Sequence, residues 1–234
     1  MPTFAAMRCM PNDAFGDATR SALYLEPPWS GSAIPLPEAT RHHLHQVLRL
    51  SDGAAVTYTD GKGVTGVGML ASGTVQRGEE TCVAATGAAV TIAVAPPRSN
   101  DRVRFLVEKL GELGVERLVW LRTRYGSTQP PRVVKARSWA VTAFEQSRGA
   151  WLMGIDDDLV DIDELDGDTL VADPGGVSIS PAQNDVNLVI GPEGGLGVDE
   201  VMGTRVSLGS RILRVETSAI VGAALLRRKH HAEG

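Results

Sequence analysis

From residue 89 onward the chain alternates short apolar runs with segments of helical periodicity. That alternation constrains the fold more than any other feature. Val90-Thr91-Ile92-Ala93-Val94-Ala95 reads as a buried strand and is stopped by Pro96-Pro97. Asp101 to Leu113 follows as a helix with Val103, Leu106, Val107 and Leu110 inward, and Gly114 stands where it would stop. Leu118-Val119-Trp120-Leu121 is the next strand. Residues 133–147 form a second helix, with Val134, Trp139, Val141 and Phe144 as its apolar positions. Leu170-Val171-Ala172 and Leu188-Val189-Ile190 are further strands, and Thr217 to Arg228 is a last helix. Strands alternating with helices predict an α/β fold with a mainly parallel sheet.

The preceding part reads differently. Residues 38–50 form a helix introduced by Pro35 and Pro37, with Leu44, Val47 and Leu48 at helical spacing. Short β-like runs at 54–59, 64–71 and 81–85 are separated by glycine-bearing turns. The boundary between the two patterns falls near 86–90. The expected organisation is a loose extension over 1–19, a small β-rich domain over 20–87 and an α/β domain over 88–234. Residues 1–19 hold no continuous apolar stretch, so they do not read as a secretory signal, and no run approaches the length of a membrane helix. Cys9 and Cys82 lie far apart and form no redox or metal motif, which suits a reducing cytoplasm. His42, His43 and His45 crowd one helical turn without a cysteine or carboxylate partner and read as surface or packing residues, so no metal is expected.

Net charge is −5, yet its distribution is uneven. From Arg98 to Arg148 there are eleven Lys/Arg against five Asp/Glu, and from Asp156 to Asp168 eight acids and no base. Either both are ordinary solvated faces, or a basic surface faces a polyanion with the acidic run turned away from it.

Two glycine-bearing loops near the C-terminus carry the functional signal. One is Val189-Ile190-Gly191-Pro192-Glu193-Gly194-Gly195. The other is Leu208-Gly209-Ser210-Arg211-Ile212-Leu213-Arg214-Val215-Glu216-Thr217. Each starts at the end of an apolar run and leads toward a helix. Side by side at the carboxyl edge of a sheet, they would form a small-molecule pocket. Glycine lets backbone N–H and C=O groups approach a ligand without a Cβ in the way.

Together the loops resemble the cofactor-binding signature of the SPOUT methyltransferases, most closely those of the RsmE type. The likeness covers roughly residues 20–231. His43-Leu44 through Val47-Leu48-Arg49-Leu50, Asp60-Gly61-Lys62-Gly63, Glu108 to Val115 and Glu145-Gln146-Ser147-Arg148 also resemble family motifs. The resemblance implies a trefoil-knotted SPOUT domain preceded by a PUA-like RNA-binding domain, acting as a homodimer. It implies transfer of a methyl group from S-adenosylmethionine (SAM) to N3 of a uridine in 16S ribosomal RNA of the small subunit, in the cytoplasm. The last helix bears on the dimer independently, because Ala219, Ile220, Val221, Ala223, Ala224 and Leu225 leave it apolar almost all round, which suits burial against a partner or equally within its own domain. The chain departs from the family at Arg98, where lysine is usual, at the spacing after Arg148, at Met153, where proline is expected, and over 122–131. All four departures touch the expected RNA side.

The cofactor set implied by the resemblance is Ile190, Gly191, Pro192, Glu193, Gly194, Gly195, Leu208, Gly209, Ile212, Leu213, Arg214 and Thr217. Deprotonated uracil spreads its charge over O2, N3 and O4, and arginine's fork suits adjacent acceptors. Arg148, Arg124 and Arg214 are therefore the catalytic candidates. Arg41, Arg49, Lys62, Arg98, Arg122 and Arg124 are the candidates for holding RNA. Glu193 and Glu216 read as proton acceptors or as loop anchors, with the structural role favoured for Glu216 at a helix start. Two rival functions remain open at this point: a SPOUT methyltransferase acting on another RNA base, and a non-catalytic RNA-binding protein that kept the fold.

Overall fold

The computed structural model describes residues 22–85 and 87–228. The loose extension expected over 1–19 lies outside them. The described chain divides into two compact units, one of residues 22–85 with Phe144–Trp151, the other of 87–143 with Leu152 onward.

The first unit is built on a five-stranded sheet. Its strands are β1 (Ala22–Tyr24), β2 (Ala33–Pro35), β3 (Ala55–Thr59), β4 (Val64–Ala71) and β5 (Thr74–Cys82), in the spatial order β1-β3-β4-β5-β2. Leu23, Ile34, Leu44, Val56, Tyr58, Leu70 and Val75 form its core. The helix expected over 38–50 begins as α1 (Glu38–His42) and widens into a π-turn at His43–Val47, where Leu48 N–H reaches back five residues to His43 C=O at 3.0 Å. Of the strand expected at 81–85 only Thr81 and Cys82 belong to one, as the end of a longer strand that starts at Thr74, and 83–85 lie beyond it. Its earlier part, Thr74-Val75-Gln76-Arg77-Gly78-Glu79-Glu80, is too polar to show a strand pattern. Pairing on both edges supplies what local pattern lacks, and Arg77 fastens Glu80 by two 2.7 Å hydrogen bonds while Tyr58 Oη donates to Glu80 at 2.6 Å.

The second unit is a six-stranded parallel sheet flanked by helices. Along the chain run β6 (Val90–Val94), α2 (Asn100–Glu112), β7 (Arg117–Leu121), α3 (Val133–Ser147), β8 (Gly154–Val160), β9 (Asp168–Ser178), β10 (Val186–Ile190), β11 (Thr204–Ser207) and α4 (Val215–Leu226). The spatial order is β11-β9-β10-β6-β7-β8. β10 sits between β9 and β6 with every residue buried, as its apolar sequence requires. Helix α2 buries the four residues expected of it, and Ser99 Oγ caps its start by accepting from Arg102 N–H. Helix α3 meets expectation in part, since Phe144 is buried and Trp139 packs against the core. Val134 is 84% exposed, and the buried stripe is Ala136, Ala140, Ala143 and Phe144. Small side chains on that stripe bring Gly111 of α2 against Ala140 and Ala143, so packing chose the alanines over the larger residues. Strands β8 and β11 carry too many charged or polar residues to be read from pattern alone. No helix among the described residues is long and apolar enough to cross a membrane.

Candidate active site

In a parallel sheet the loops after successive strands emerge on one edge. Here β10 and β11 both pair with β9, so the loops that follow them converge around the end of β9. The register of β11 against β9 jumps from Arg205–Val171 to Val206–Val177. Residues 172–176, Ala-Asp-Pro-Gly-Gly, therefore bulge out between the two loops. Asp173 holds the bulge by accepting from Gly175 N–H at 2.8 Å and facing Arg205 at 3.3 Å.

These three segments enclose a cavity of about 330 Å³. Nine of the expected cofactor residues line it: Ile190, Gly191, Pro192, Glu193 and Gly195 from the first loop, and Leu208, Gly209, Ile212 and Leu213 from the second. Gly194, Arg214 and Thr217 do not. Gly194 is turned against Tyr125, Arg214 immediately precedes α4 and is exposed, and Thr217 lies on the exposed side of α4, where helical spacing presents Val215 and Ser218 to the cavity instead. Sequence reasoning missed the wall formed by Val171, Ala172, Asp173 and Pro174. The Asp-Pro-Gly-Gly run was the available signal, since such residues inside a strand mark a bulge. The first loop also departs from expectation in its sequel. It leads into a single 3-10 turn, Val198–Glu200, and then β11, whereas the second leads directly into α4.

A larger, open concavity of about 740 Å³ lies where β9, β10 and β11 begin, lined by Asp168, Val186 and Thr204. Ligands of open α/β sheets bind at the carboxyl ends of strands, and the glycine loops are there, so the smaller cavity is the candidate site.

One ion-pair cluster ties the site together. Arg102, in the first turn of α2, donates to both carboxylate oxygens of Glu216 at 2.6–3.0 Å and lies 2.7 Å from a Glu193 oxygen. Glu216 opens α4 after the second loop, and Glu193 belongs to the first. Burial pushes the Glu216 carboxyl up, but the Arg102 hydrogen bonds and its own backbone N–H outweigh this and hold it below the usual glutamate range. Glu193 is held low by its own backbone N–H and by Arg102. Carboxylates stabilised this way are weak bases, so both act as loop anchors.

The 122–131 segment is fastened to the first loop's continuation. Arg124 N–H donates to Glu200 Oε1 at 2.7 Å, and its guanidinium pairs with Asp199 at 2.8 Å. Arg124 and Arg214 both follow carboxyl ends of strands in the second unit, whereas Arg148, with a left-handed φ of 54°, belongs to the first. Of the RNA candidates, Arg49, Lys62 and Arg98 are exposed, Arg41 pairs with Glu38, and Arg122 pairs with Asp161 at 2.7 Å. The acidic run is not turned away from the basic segment. β7 pairs with β8, which places Arg117 on Asp156 and Arg122 near Asp161, and Arg137 of α3 reaches Asp157. The pairing of β7 with β8 thus brings together charges 39 residues apart in sequence, α3 adds a pair 20 apart, and part of the basic excess is offset locally. Among the described residues no group of three or more His, Cys, Asp or Glu is placed to hold a metal ion.

A parallel α/β sheet with glycine loops closing a cavity at its carboxyl edge defines a nucleotide-type small-molecule site. Residues 85–227 match the RNA methyltransferase domain family, and the chain belongs to that family. It is 26% identical over 215 residues to ribosomal RNA small subunit methyltransferase E of Rickettsia conorii, spanning 81% of this chain and 88% of that protein. Its fold is similar to that of the ribosomal RNA small subunit methyltransferase E of Neisseria gonorrhoeae solved with S-adenosyl methionine, at a TM-score of 0.77, 22% identity, and coverage of 88% and 96%. A Legionella pneumophila methyltransferase solved with bound SAM superposes at a TM-score of 0.74, with 22% identity and the same coverage.

Proposed function

We propose that the chain is an RsmE-type enzyme that methylates N3 of a uridine in 16S ribosomal RNA, using SAM, in the cytoplasm. The observation that carries this is the glycine-looped cavity at the ends of β9, β10 and β11 in a member of an RNA methyltransferase family. The cavity fits the cofactor in kind. Val171, Ile190, Leu196 and Leu213 offer an apolar slot, and at Gly191 and Gly209 the backbone reaches the cavity with no side chain in the way. When bound, SAM supplies an electrophilic methyl group on a sulfonium and leaves as the neutral thioether. The protein must then expose the uracil, align N3 with the methyl carbon and favour loss of the N3 proton. Arg124, Arg214 and Arg148 are the groups suited to stabilising the charge left on O2, N3 and O4, and the anchored Glu193 and Glu216 are not assigned the proton.

The domain assignment of a PUA-like RNA-holding module over 20–87 and a SPOUT domain over 88–234 belongs to the same reading. A trefoil knot is supported by the path of the chain. From β10 it passes beyond β9 to β11 at the sheet edge, then returns as α4 over β10, β6 and α2. A homodimer is supported by α4, whose Ile220, Val221, Ala224 and Leu225 are incompletely covered by its own unit. Sedimentation at low micromolar concentration is expected to give a dimer, and a monomer that methylates RNA would overturn this part.

Isothermal calorimetry should show SAM binding in excess chelator. Labelled SAM should transfer its methyl group to small-subunit RNA or particles lacking the modification, and nucleoside mass spectrometry should identify N3-methyluridine. No SAM binding would leave a non-catalytic RNA-binding protein, and a different modified nucleoside would reassign the target base.

A further inference from the structure

Among its described Phe, Tyr and Trp residues the first unit presents one exposed ring, Trp151, and holds it rigidly. The indole Nε1–H donates to Val83 C=O at 3.0 Å. Gly63 lies beneath the ring at a φ of 101°, where an added Cβ would sit 2.6 Å from indole Cζ2. Glycine is thus required there both for its backbone conformation and for the ring's close approach. Gly63 N–H donates to Ala150 C=O at 2.9 Å, Val83 N–H donates to Gly63 C=O at 2.7 Å, and Lys62 pairs with Trp151 as an antiparallel bridge. At its other end the 144–151 segment is pinned by buried Phe144, packed edge-on to Tyr24, and by Glu145, which accepts from Tyr24 N–H at 2.9 Å. Despite this support the Trp151 residue remains 45% exposed.

The surrounding charges select the partner. Asp60 turns its carboxylate to the N–H groups of Lys62 and Val64, and Glu145 turns its own to Tyr24, so both acids are engaged with backbone. Lys62 is exposed and pairs with Trp151 across the bridge. A flat, immobilised aromatic face with the exposed Lys62 ammonium beside it matches an unpaired base on a phosphate backbone. We propose that Trp151 is a stacking platform for an unpaired RNA base, a specificity element resting on the reading of this chain as an RNA methyltransferase acting on RNA directly.

The test uses the full chain, a uridine octanucleotide and an RNA duplex of equal length. Trp151→Ala should weaken octanucleotide binding by about tenfold or more, as loss of one stacked base does. Trp151→Phe should weaken it less. SAM affinity should be unchanged in both variants. Stacking also quenches indole emission, so the octanucleotide should quench the parent's fluorescence and fail to quench Trp151→Phe. That signal stands even if the alanine variant folds poorly. If the parent binds the octanucleotide and Trp151→Ala binds it equally well without any quench in the parent, the platform is refuted while the RNA reading stands. Preference of the parent for the duplex also refutes it. If the parent binds neither RNA, both readings fall. A change of oligomeric state in Trp151→Ala would make the ring a subunit contact and overturn the proposal.

Discussion

Replacing Arg102 with alanine is expected to lower both the melting temperature and the affinity for SAM, although Arg102 does not line the cavity. The change would strand Glu216, whose side chain is 8% exposed, without its cation. Removing one partner of a buried pair typically costs 3–5 kcal/mol, and because Arg102 itself reaches solvent about 2–3 kcal/mol is expected. For a chain of this size that corresponds to a fall in melting temperature of about 5–10 °C. Both glycine loops lose a common tie, so SAM affinity should drop by at least about tenfold. Arg102→Lys keeps the charge but loses the fork that reaches both glutamates, and should fall between parent and alanine. Glu193→Gln removes only the exposed arm of the cluster and should cost less than about 1 kcal/mol. The pH dependence has a definite sign. Glu216 is held below its usual value, so its pairing contributes fully above about pH 4.3 and is lost as pH falls further. The gap between parent and Arg102→Ala should therefore narrow in acid. Scanning calorimetry and SAM titration decide the matter, and an alanine variant that melts and binds like the parent would remove the cluster from the account of the site.

Gly195→Val is expected to have the other large effect. Gly195 has a φ of 78° and closes the turn of the first loop by donating to Pro192 C=O at 2.8 Å. A Cβ there would meet open space, so crowding within the free protein is not the cause. The obstacle is the left-handed backbone, which a β-branched residue tolerates poorly, at a cost of about 2 kcal/mol. Valine should force the turn open, with a fall in SAM affinity of about thirtyfold, while the sheet stays intact. Gly195→Ala should show a smaller loss of the same kind. Titration with SAM alongside circular dichroism checks both, and wild-type affinity in the valine variant would reduce the motif to an ordinary turn.

Much of the architecture was legible locally. The apolar runs at β6, β7 and β10 and the stripe on α2 carry their own periodicity, so they appear where the pattern places them. Glycine loops announce themselves because the conformations they permit are rare for other residues. Strands β8 and β11 and most of β5 stayed hidden, since polar residues form strands when neighbouring chain supplies the hydrogen bonds, and for β8 and β11 that neighbour is remote in sequence. The same limit explains α3, where composition favoured Val134 and packing distance favoured alanine.

By itself, then, the chain's pattern determined a parallel α/β unit after a β-rich one, two glycine loops at strand ends and a last helix that must be buried on at least one side. Tertiary structure alone decided what stands between those loops and what joins them. The order β11-β9-β10 inserts the bulge of β9 into the cavity wall, and no local signal states which strand lies between two others. It also decided that Arg102 meets Glu193 and Glu216 across more than ninety residues, and that the acidic run answers the basic one. Periodicity reports which face of an element is apolar. The partner that a charge or a loop finds depends on strand order, which only the folded sheet settles.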